Sequence, residues 1–139
     1  MAKVDMRAKM PIAPDTLWKT IGGFNALPAW HPAVEKSDVT RGDEKGSVRT
    51  LSLAGGGTVT ERLDESDAKQ RRYRYSILSG PLPVADYSAE VEVEDNGDGT
   101  STLHWSSEFQ PKGASEADAV GVIRGVYQAG IDNLKKMFA

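Results

Sequence analysis

The residue best suited to chemistry in this sequence is Glu61. Alternation of apolar and polar side chains places it on the same predicted strand face as Val59 and Leu63. An ionised carboxylate on an apolar face is costly unless it has a partner, and Arg49 on the preceding predicted strand has the parity to face it. Two interpretations stay open. Glu61 is either a structural partner of Arg49 or a water-solvated carboxylate at a cavity mouth, or it contacts a ligand and, with a raised pKa, acts as a general base.

His31 is the second candidate for proton transfer. It stands between Trp30 and Pro32, at the end of a short predicted helical turn. In one interpretation it caps this helix or hydrogen-bonds to a backbone carbonyl. In the other it lines the entrance of a pocket and titrates near neutral pH. The other histidine, His104, is predicted to face away from any such pocket.

Three tyrosines share the predicted inner face of two strands: Tyr73, Tyr75 and Tyr87. A buried tyrosine needs a partner for its hydroxyl group. Three of them aimed at one space therefore suit a wet or ligand-filled cavity, although each also fits an ordinary core. Trp30 and Trp105 carry the same two interpretations.

One long helix must position these residues. Apolar residues spaced three to four apart predict a helix from Ala114 to Phe138. Gly121 and Gly125 lie one turn apart inside it, and an interior glycine costs about 1 kcal/mol relative to alanine. Together with Ala129 they form a strip of small residues. This strip either lets the sheet or another helix approach closely, or leaves volume for a ligand.

The rest of the chain alternates between strand patterns and turn signals. A first strand ending at Met10 precedes a helix from Pro14 to Ile21 and a proline-broken helical turn within residues 24–32. The segment from Asp64 to Ala68 is predicted to be a turn. Six further strands are predicted at Val34–Thr40, Ser47–Leu53, Thr58–Leu63, Gln70–Leu78, Val84–Glu94 and Ser101–Phe109. The chain is therefore expected to be α+β, with the long helix covering the apolar face of one antiparallel sheet.

Composition limits the classes of function. A chain of 139 residues fits one domain spanning residues 1–139. Its net charge is −3, with acids and bases interspersed, so nucleic acid is not an expected partner. It has no cysteine and two histidines, so neither a metal site nor a cofactor is predicted. No stretch resembles a signal peptide or the roughly 18 apolar residues of a membrane span, so a cytoplasmic location without integral membrane association is expected.

The order of elements resembles the helix-grip fold of the START and birch-pollen-allergen (SRPBCC) superfamily. The local sequences that add to the likeness are Pro14-Asp15-Thr16-Leu17-Trp18, the segment 24–32 ending in Trp-His-Pro, Glu61-Arg62-Leu63, Pro81-Leu82-Pro83-Val84 and the terminal helix. Together they resemble bacterial proteins of the polyketide cyclase/dehydrase family. The resemblance implies a curved, seven-stranded antiparallel sheet wrapped around the C-terminal helix, with two short helices after the first strand.

The resemblance also implies a deep cavity between the sheet and the terminal helix that takes hydrophobic or amphipathic small molecules. Plant abscisic-acid receptors share this fold and close two loops over the cavity. By order along the chain, residues 54–57 resemble their gate and residues 79–83 their latch. The gate here is a glycine run without the receptors' Leu-Pro element, and His31 stands where they place a ligand-pairing lysine.

Glu61 and His31 are thus the candidate catalytic residues. The residues predicted to contact a ligand are Trp30, Arg49, Leu51, Leu53, Val59, Leu63, Tyr73, Tyr75, Tyr87, Ala89, Trp105, Gly121, Arg124, Gly125 and Gln128.

The leading functional hypothesis is binding or transport of a hydrophobic or aromatic small molecule, lipid-like or polyketide-like. The second is a cyclase or dehydratase that uses Glu61 or His31 for proton transfer. The third is an interaction module whose two loops close on a ligand and create a surface for a protein partner of unknown identity.

Overall fold

The computed structural model describes residues 1–139 and contains seven strands and three helices. The strands are β1 (Ala2–Met10), β2 (Val34–Val39), β3 (Val48–Leu53), β4 (Thr58–Asp67), β5 (Arg72–Ser79), β6 (Val84–Asp95) and β7 (Ser101–Pro111). The helices are α1 (Pro14–Ile21), α2 (Leu27–Trp30) and α3 (Glu116–Met137). The strands form one antiparallel sheet in the order β1-β7-β6-β5-β4-β3-β2. The predicted α+β helix-grip fold, with a curved seven-stranded sheet, is confirmed.

Alternation along the strands sets which side chains face α3. In β6, Tyr87, Ala89, Val91 and Val93 are buried, while the residues between them are partly exposed. The other strands show the same period of two, as expected for a sheet with one covered face and one wet face. The inner face, α3 and the two short helices therefore enclose a single apolar core.

Strand β4 is longer than the sequence predicts. The predicted turn from Asp64 to Ala68 is wrong, because β4 continues to Asp67 and the turn follows it. An irregularity between Leu63 and Glu65 shifts the pairing of β4 with β5. Such a bulge accommodates an extra residue without ending the strand. The polar residues that suggested a turn therefore belong to a strand.

The sheet is divided at one place, between the end of β5 and the start of β6. These strands pair only from Arg72↔Glu92 to Ser76↔Ser88. Beyond that point the end of β5 stays paired with β4, and the start of β6 stays paired with β7. A bulge in β6, where Asp86 has φ of 52°, accompanies the divergence. The loop between the strands, residues 80–83, lies over this division.

The long helix α3 is capped at its N-terminus by Ser115, whose hydroxyl accepts a hydrogen bond from the backbone N–H of Asp118 at 3.1 Å. Its buried stripe consists of Ala119, Ile123, Tyr127, Gly130, Ile131 and Leu134. Val120 and Phe138, which the spacing also places on the stripe, are only partly buried.

The glycines of α3 do not lie where the sequence analysis placed them. Gly121 and Gly125 are exposed, and a Cβ at either position would meet no atom within 4 Å. The predicted small-residue strip along the cavity is therefore wrong, and nothing in the structure explains a glycine at these two positions. The glycine that permits close approach is Gly130, where a Cβ would lie 2.8 Å from the Trp30 ring and 2.9 Å from the His31 ring.

Gly130→Ala and Gly125→Ala form a matched pair that tests this assignment. Gly130→Ala should lower the free energy of unfolding by about 1–3 kcal/mol, because the packed rings must move to admit a methyl group. Gly125→Ala should raise it by up to about 1 kcal/mol, since the site is open and alanine favours the helix. Urea denaturation measures both changes, and equal stability of the two variants would contradict the packing at Gly130.

Candidate functional site

An apolar cavity of about 180 Å³ lies between the inner face of the sheet and α3. Residues from α2, α3 and the strands β2 to β7 contribute to its wall. They are Leu27, His31, Ala33, Val34, Arg49, Leu51, Leu53, Ala54, Val59, Glu61, Tyr75, Ile77, Leu82, Tyr87, Trp105, Ile123, Val126 and Tyr127. Arg49 and Glu61 are the two charged side chains in this wall.

Arg49 and Glu61 form a buried ion pair. They are directly opposite each other in the pairing of β3 with β4. The guanidinium Nε donates to Glu61 Oε1 at 2.8 Å, and Nη2 lies 2.7 Å from the same oxygen. Only 1% of Arg49 and 6% of Glu61 is exposed. The pair expected in one interpretation is therefore present, and because Glu61 also borders the cavity, its contact with a ligand stays a prediction.

The surroundings of Arg49 explain how the fold tolerates a buried charge. Nη1 donates to the backbone carbonyl of Phe24 at 2.9 Å. The guanidinium also lies 4.1 Å from the centre of the Phe24 ring and 5.0 Å from that of Tyr75, within cation–π range. Although burial opposes it, the charge of Glu61 raises the pKa of Arg49. Burial raises the pKa of the Glu61 carboxyl, and the Arg49 charge offsets part of this effect.

Three tyrosine hydroxyls form a chain at the cavity wall. Trp105 Nε1 donates to Tyr75 Oη at 3.1 Å, and the Tyr75 and Tyr87 hydroxyls are 3.4 Å apart. The Tyr87 hydroxyl is in turn hydrogen-bonded to that of Tyr127. Burial raises the pKa of all three phenols, so they stay protonated at neutral pH. Tyr127 also stacks on Trp105, with ring centres 4.0 Å apart.

His31 joins α2 to α3. Its Nε2 lies 2.7 Å from the carbonyl oxygen of Val126, and its Nδ1 accepts a hydrogen bond from the backbone N–H of Ala33 at 3.2 Å. Because a carbonyl only accepts, Nε2 carries the proton and the ring is neutral. Burial lowers the pKa of the imidazole, and the bond to Val126 opposes this in part. Both ring nitrogens are occupied, which matches the backbone-bonding interpretation and leaves no free lone pair for proton transfer.

The structure divides the predicted site residues into three groups. Nine border the cavity: His31, Arg49, Leu51, Leu53, Val59, Glu61, Tyr75, Tyr87 and Trp105. Four are buried in the core and do not border it: Trp30, Leu63, Tyr73 and Ala89. Four are exposed on the outer face of α3: Gly121, Arg124, Gly125 and Gln128. The cavity contacts expected of the last two groups are wrong, and ligand binding by the first group stays a prediction.

The two misplaced groups have different physical causes. The four residues on α3 are exposed because of how the helix is rotated about its axis. The buried stripe through Ile123, Tyr127 and Gly130 fixes this rotation. The core four have the predicted parity, but their space is filled by neighbours. Tyr73, for example, packs against Trp18 and Phe24.

Tyr127 is the most important residue that the sequence analysis did not place in the site. The spacing of apolar residues predicts for it only a place on the buried side of the long helix. Its signal is the hydroxyl group itself, a polar atom in a stripe otherwise made of aliphatic and small residues. Ile77 and Val126 were also missed, and no feature of the sequence distinguishes them from ordinary core residues.

The two loops that resemble a gate and a latch each contribute one residue to the cavity wall, Ala54 and Leu82. A larger groove, about 500 Å³, lies outside the sheet where β5 and β6 diverge. It shares Ile77, Leu82 and Tyr87 with the cavity. The division in the sheet therefore places only a thin wall between the cavity and the outside.

A separate polar group lies on the outer face of β6 and β7. Side-chain oxygens of Glu92 and Glu94 and a ring nitrogen of His104 lie within 4.8 Å of one another. Two of the three groups have protein partners, since His104 Nε2 is 2.9 Å from Asp5 Oδ1 and Glu94 accepts from Arg7. As predicted from alternation, His104 faces away from the cavity, and this group belongs to a surface network of charges.

All residues from 1 to 139 match the protein family described as "Polyketide cyclase / dehydrase and lipid transport". The chain belongs to this family. The predicted membership of the polyketide cyclase/dehydrase-like family and of the SRPBCC superfamily is confirmed. The family's description covers both cyclisation or dehydration chemistry and lipid transport. No helix of the structure has both the length and the apolar character that crossing a membrane requires.

Two solved structures and one allergen sequence are similar to this chain. The protein XoxI from Bacillus cereus has a structure that superimposes with a TM-score of 0.93 at 34% identity, covering 99% of this chain and 96% of that one. The major strawberry allergen Fra a 1-2 from Fragaria ananassa is 27% identical over 115 residues, which is 76% of this chain and 72% of the allergen. Zhui aromatase/cyclase from Streptomyces sp. R1128 shares the fold, with a TM-score of 0.77 at 18% identity over 97% of this chain and 92% of its own.

A double-mutant cycle tests the energetics of the buried pair. Glu61→Leu should lower the free energy of unfolding by about 3–5 kcal/mol, because it leaves the guanidinium of Arg49 buried without a counter-charge. Adding Arg49→Met should restore most of the loss, since two apolar side chains then replace two charges. Chemical denaturation of the two single variants and the double variant measures the coupling. A double variant less stable than Glu61→Leu alone would contradict this account.

The neutral state of His31 predicts a pH dependence of stability. Because folding lowers the pKa of His31, its contribution is fully present above the unfolded value of 6.5 and is lost as pH falls below it. The loss should reach at most about 1.4 kcal/mol per pH unit. Denaturation measured from pH 8 to 5.5 should show it in the wild type and in His104→Gln, but not in His31→Gln. An unchanged pH profile in His31→Gln would count against the assignment.

Proposed function

We propose that this protein binds one small hydrophobic molecule, about the size of a single substituted aromatic ring, between the sheet and α3. The observation that supports this proposal is a mostly apolar cavity of about 180 Å³, whose few polar groups include the Arg49–Glu61 pair and the tyrosine hydroxyls. Empty apolar cavities of about 150 Å³ bind benzene in other proteins. A site that is mostly apolar, with a few convergent polar groups, is typical of small-molecule binding.

The volume also limits the ligand. A lipid chain or a fused polyketide ring system is larger than this cavity, so either would extend beyond it. The cavity adjoins the outer groove at Ile77, Leu82 and Tyr87, which border both. Single-ring or short-chain compounds are therefore the primary ligands that we propose.

An enzymatic role is the second candidate, and one observation favours it. Glu61 borders the cavity beside hydrogen-bonding phenols, an arrangement suited to removing a proton from a carbon next to a carbonyl group. His31 offers no comparable support, because both of its nitrogens are engaged. A ligand-gated interaction module, an unidentified protein partner and a cytoplasmic location stay predictions from the sequence.

Native mass spectrometry of freshly purified protein tests the binding proposal directly. We expect a population heavier than the bare chain by the mass of one small organic molecule, or the appearance of such a population after incubation with toluene. Absence of any adduct, together with unchanged NMR spectra in the presence of toluene, would contradict it.

Two neighbouring positions on α3 give a matched test of the binding location. Ile123 borders the cavity and is 1% exposed, whereas Val122 is 42% exposed on the outer face. Ile123→Phe should fill part of the cavity and weaken toluene binding at least tenfold, while Val122→Phe should leave it unchanged. NMR titration measures both affinities, and circular dichroism checks that both variants are folded. Equal binding by the two variants would place the ligand elsewhere.

A further inference from the structure

The cavity presents one acceptor oxygen without a partner. The two contacts between Arg49 and Glu61 both use the Oε1 oxygen of the carboxylate, and no hydrogen bond to Oε2 is found. The fully enclosed polar side-chain atoms that lack a partner are Trp30 Nε1, Ser37 Oγ, Arg72 Nε and Ser107 Oγ. Glu61 Oε2 is not one of them, so it keeps free surface, and Glu61 borders the cavity. A ligand therefore meets an anionic oxygen that can accept a hydrogen bond.

The cavity offers no cation for an acidic ligand. The guanidinium of Arg49 directs its contacts to Glu61 and to the carbonyl of Phe24, and it is 1% exposed. His31 is neutral, with both nitrogens engaged. A ligand carboxylate would thus lose its water without gaining a counter-charge and would lie near the carboxylate of Glu61, which is a costly arrangement.

The tyrosine chain supplies the complementary donor. Tyr75, Tyr87 and Tyr127 have three hydroxyl protons, and the two hydrogen bonds among them use two of these protons. Trp105 donates to the chain and removes no proton from it. One phenolic proton is therefore left without an acceptor inside the chain. A bond from the chain to the unpartnered Ser107 hydroxyl would use this proton but leave the serine proton in its place, because a hydroxyl both accepts and donates.

We propose that the cavity selects a neutral single-ring molecule with a hydroxyl group, such as a phenol or a benzylic alcohol, and excludes carboxylic acids of the same size. The ligand hydroxyl donates to Glu61 Oε2, and an oxygen of the ligand accepts the surplus phenolic proton. This selectivity rests on the proposed function, since it names the chemical class of ligand for the same cavity.

Three probes of similar size test the selectivity on the wild-type protein. 4-Methylphenol and p-xylene differ only by a hydroxyl in place of a methyl group, and benzoate carries the acid. NMR titration should show 4-methylphenol binding about tenfold more tightly than p-xylene, because a site built to bond a hydroxyl leaves its polar groups unpaired with the analogue that lacks it. Benzoate should cause no saturable change at concentrations where 4-methylphenol saturates.

The outcomes separate the two proposals. Binding of p-xylene equal to or tighter than that of 4-methylphenol would overturn the hydroxyl selectivity and leave the binding function intact. Saturable binding of benzoate with an affinity comparable to that of 4-methylphenol would overturn the exclusion of acids. Failure of all three probes to bind would contradict both the selectivity and the proposed function.

Glu61→Gln provides a second test with a result that a merely structural role would not give. The variant leaves Arg49 with an unpaired charge beside the cavity, so benzoate should now bind and raise the melting temperature of the variant, with no such effect on the wild type. The affinity for 4-methylphenol should fall, since a neutral amide is a weaker acceptor than a carboxylate. A folded variant that keeps the wild-type order of affinities would overturn the role given to Glu61. If the variant does not fold, the three probes on the wild type still decide the question.

Discussion

The buried pair of Arg49 and Glu61 is the interaction on which the rest of the site depends. Removing the two charges from water costs several kcal/mol each. Their mutual attraction offsets this cost only when the geometry is favourable and additional hydrogen bonds form. Here the strand register places the two residues directly opposite each other, and Phe24 supplies both a carbonyl acceptor and an aromatic face. A slip of one residue between β3 and β4 would turn one charge to the outside and leave the other unpaired inside. The pair therefore makes this register strongly preferred.

The same pair gives the cavity its chemical character. An apolar pocket of this size would otherwise accept any molecule that fits, because dispersion and the hydrophobic effect have little directional preference. The free oxygen of Glu61 and the tyrosine chain add hydrogen-bonding groups, which have a directional preference. Packing fixes the tyrosine chain in place, since Tyr127 stacks on Trp105, so binding of the proposed ligand would need little reorganisation there.

The sequence predicts the sheet and its inner face well, because strand alternation has a period of two and few alternatives. Arg49, Glu61, Tyr75 and Tyr87 were placed in this way, and the structure brings them to one cavity. The rotation of α3 could not be predicted equally well. Apolar and small residues occur on more than one side of this helix, so Gly121 and Gly125 suggested a contact face that Gly130 provides instead.

Contacts between a side chain and a distant backbone group also cannot be predicted from the sequence. His31 bonds to the carbonyl of Val126, which is 95 residues away, and no side-chain pattern marks that acceptor. Whether an inward tyrosine lines a cavity or fills the core likewise depends on neighbours that alternation does not identify. Tyr73 and Tyr75 have the same parity on β5, yet only Tyr75 borders the cavity.

The contacts between α2 and α3 have a consequence for how cavities of this kind can change in size. Three residues of α3 contact Trp30 and His31. The carbonyl of Val126 bonds to His31, and Gly130 packs against both rings. The side-chain amide of Asn133 donates to the Trp30 carbonyl at 2.8 Å. These two residues act as a spacer that sets how deeply the helix sits on the sheet. A change in the length or bulk of this spacer would move the helix as a rigid wall. The cavity could then expand or contract without any substitution in the strands that carry its polar groups.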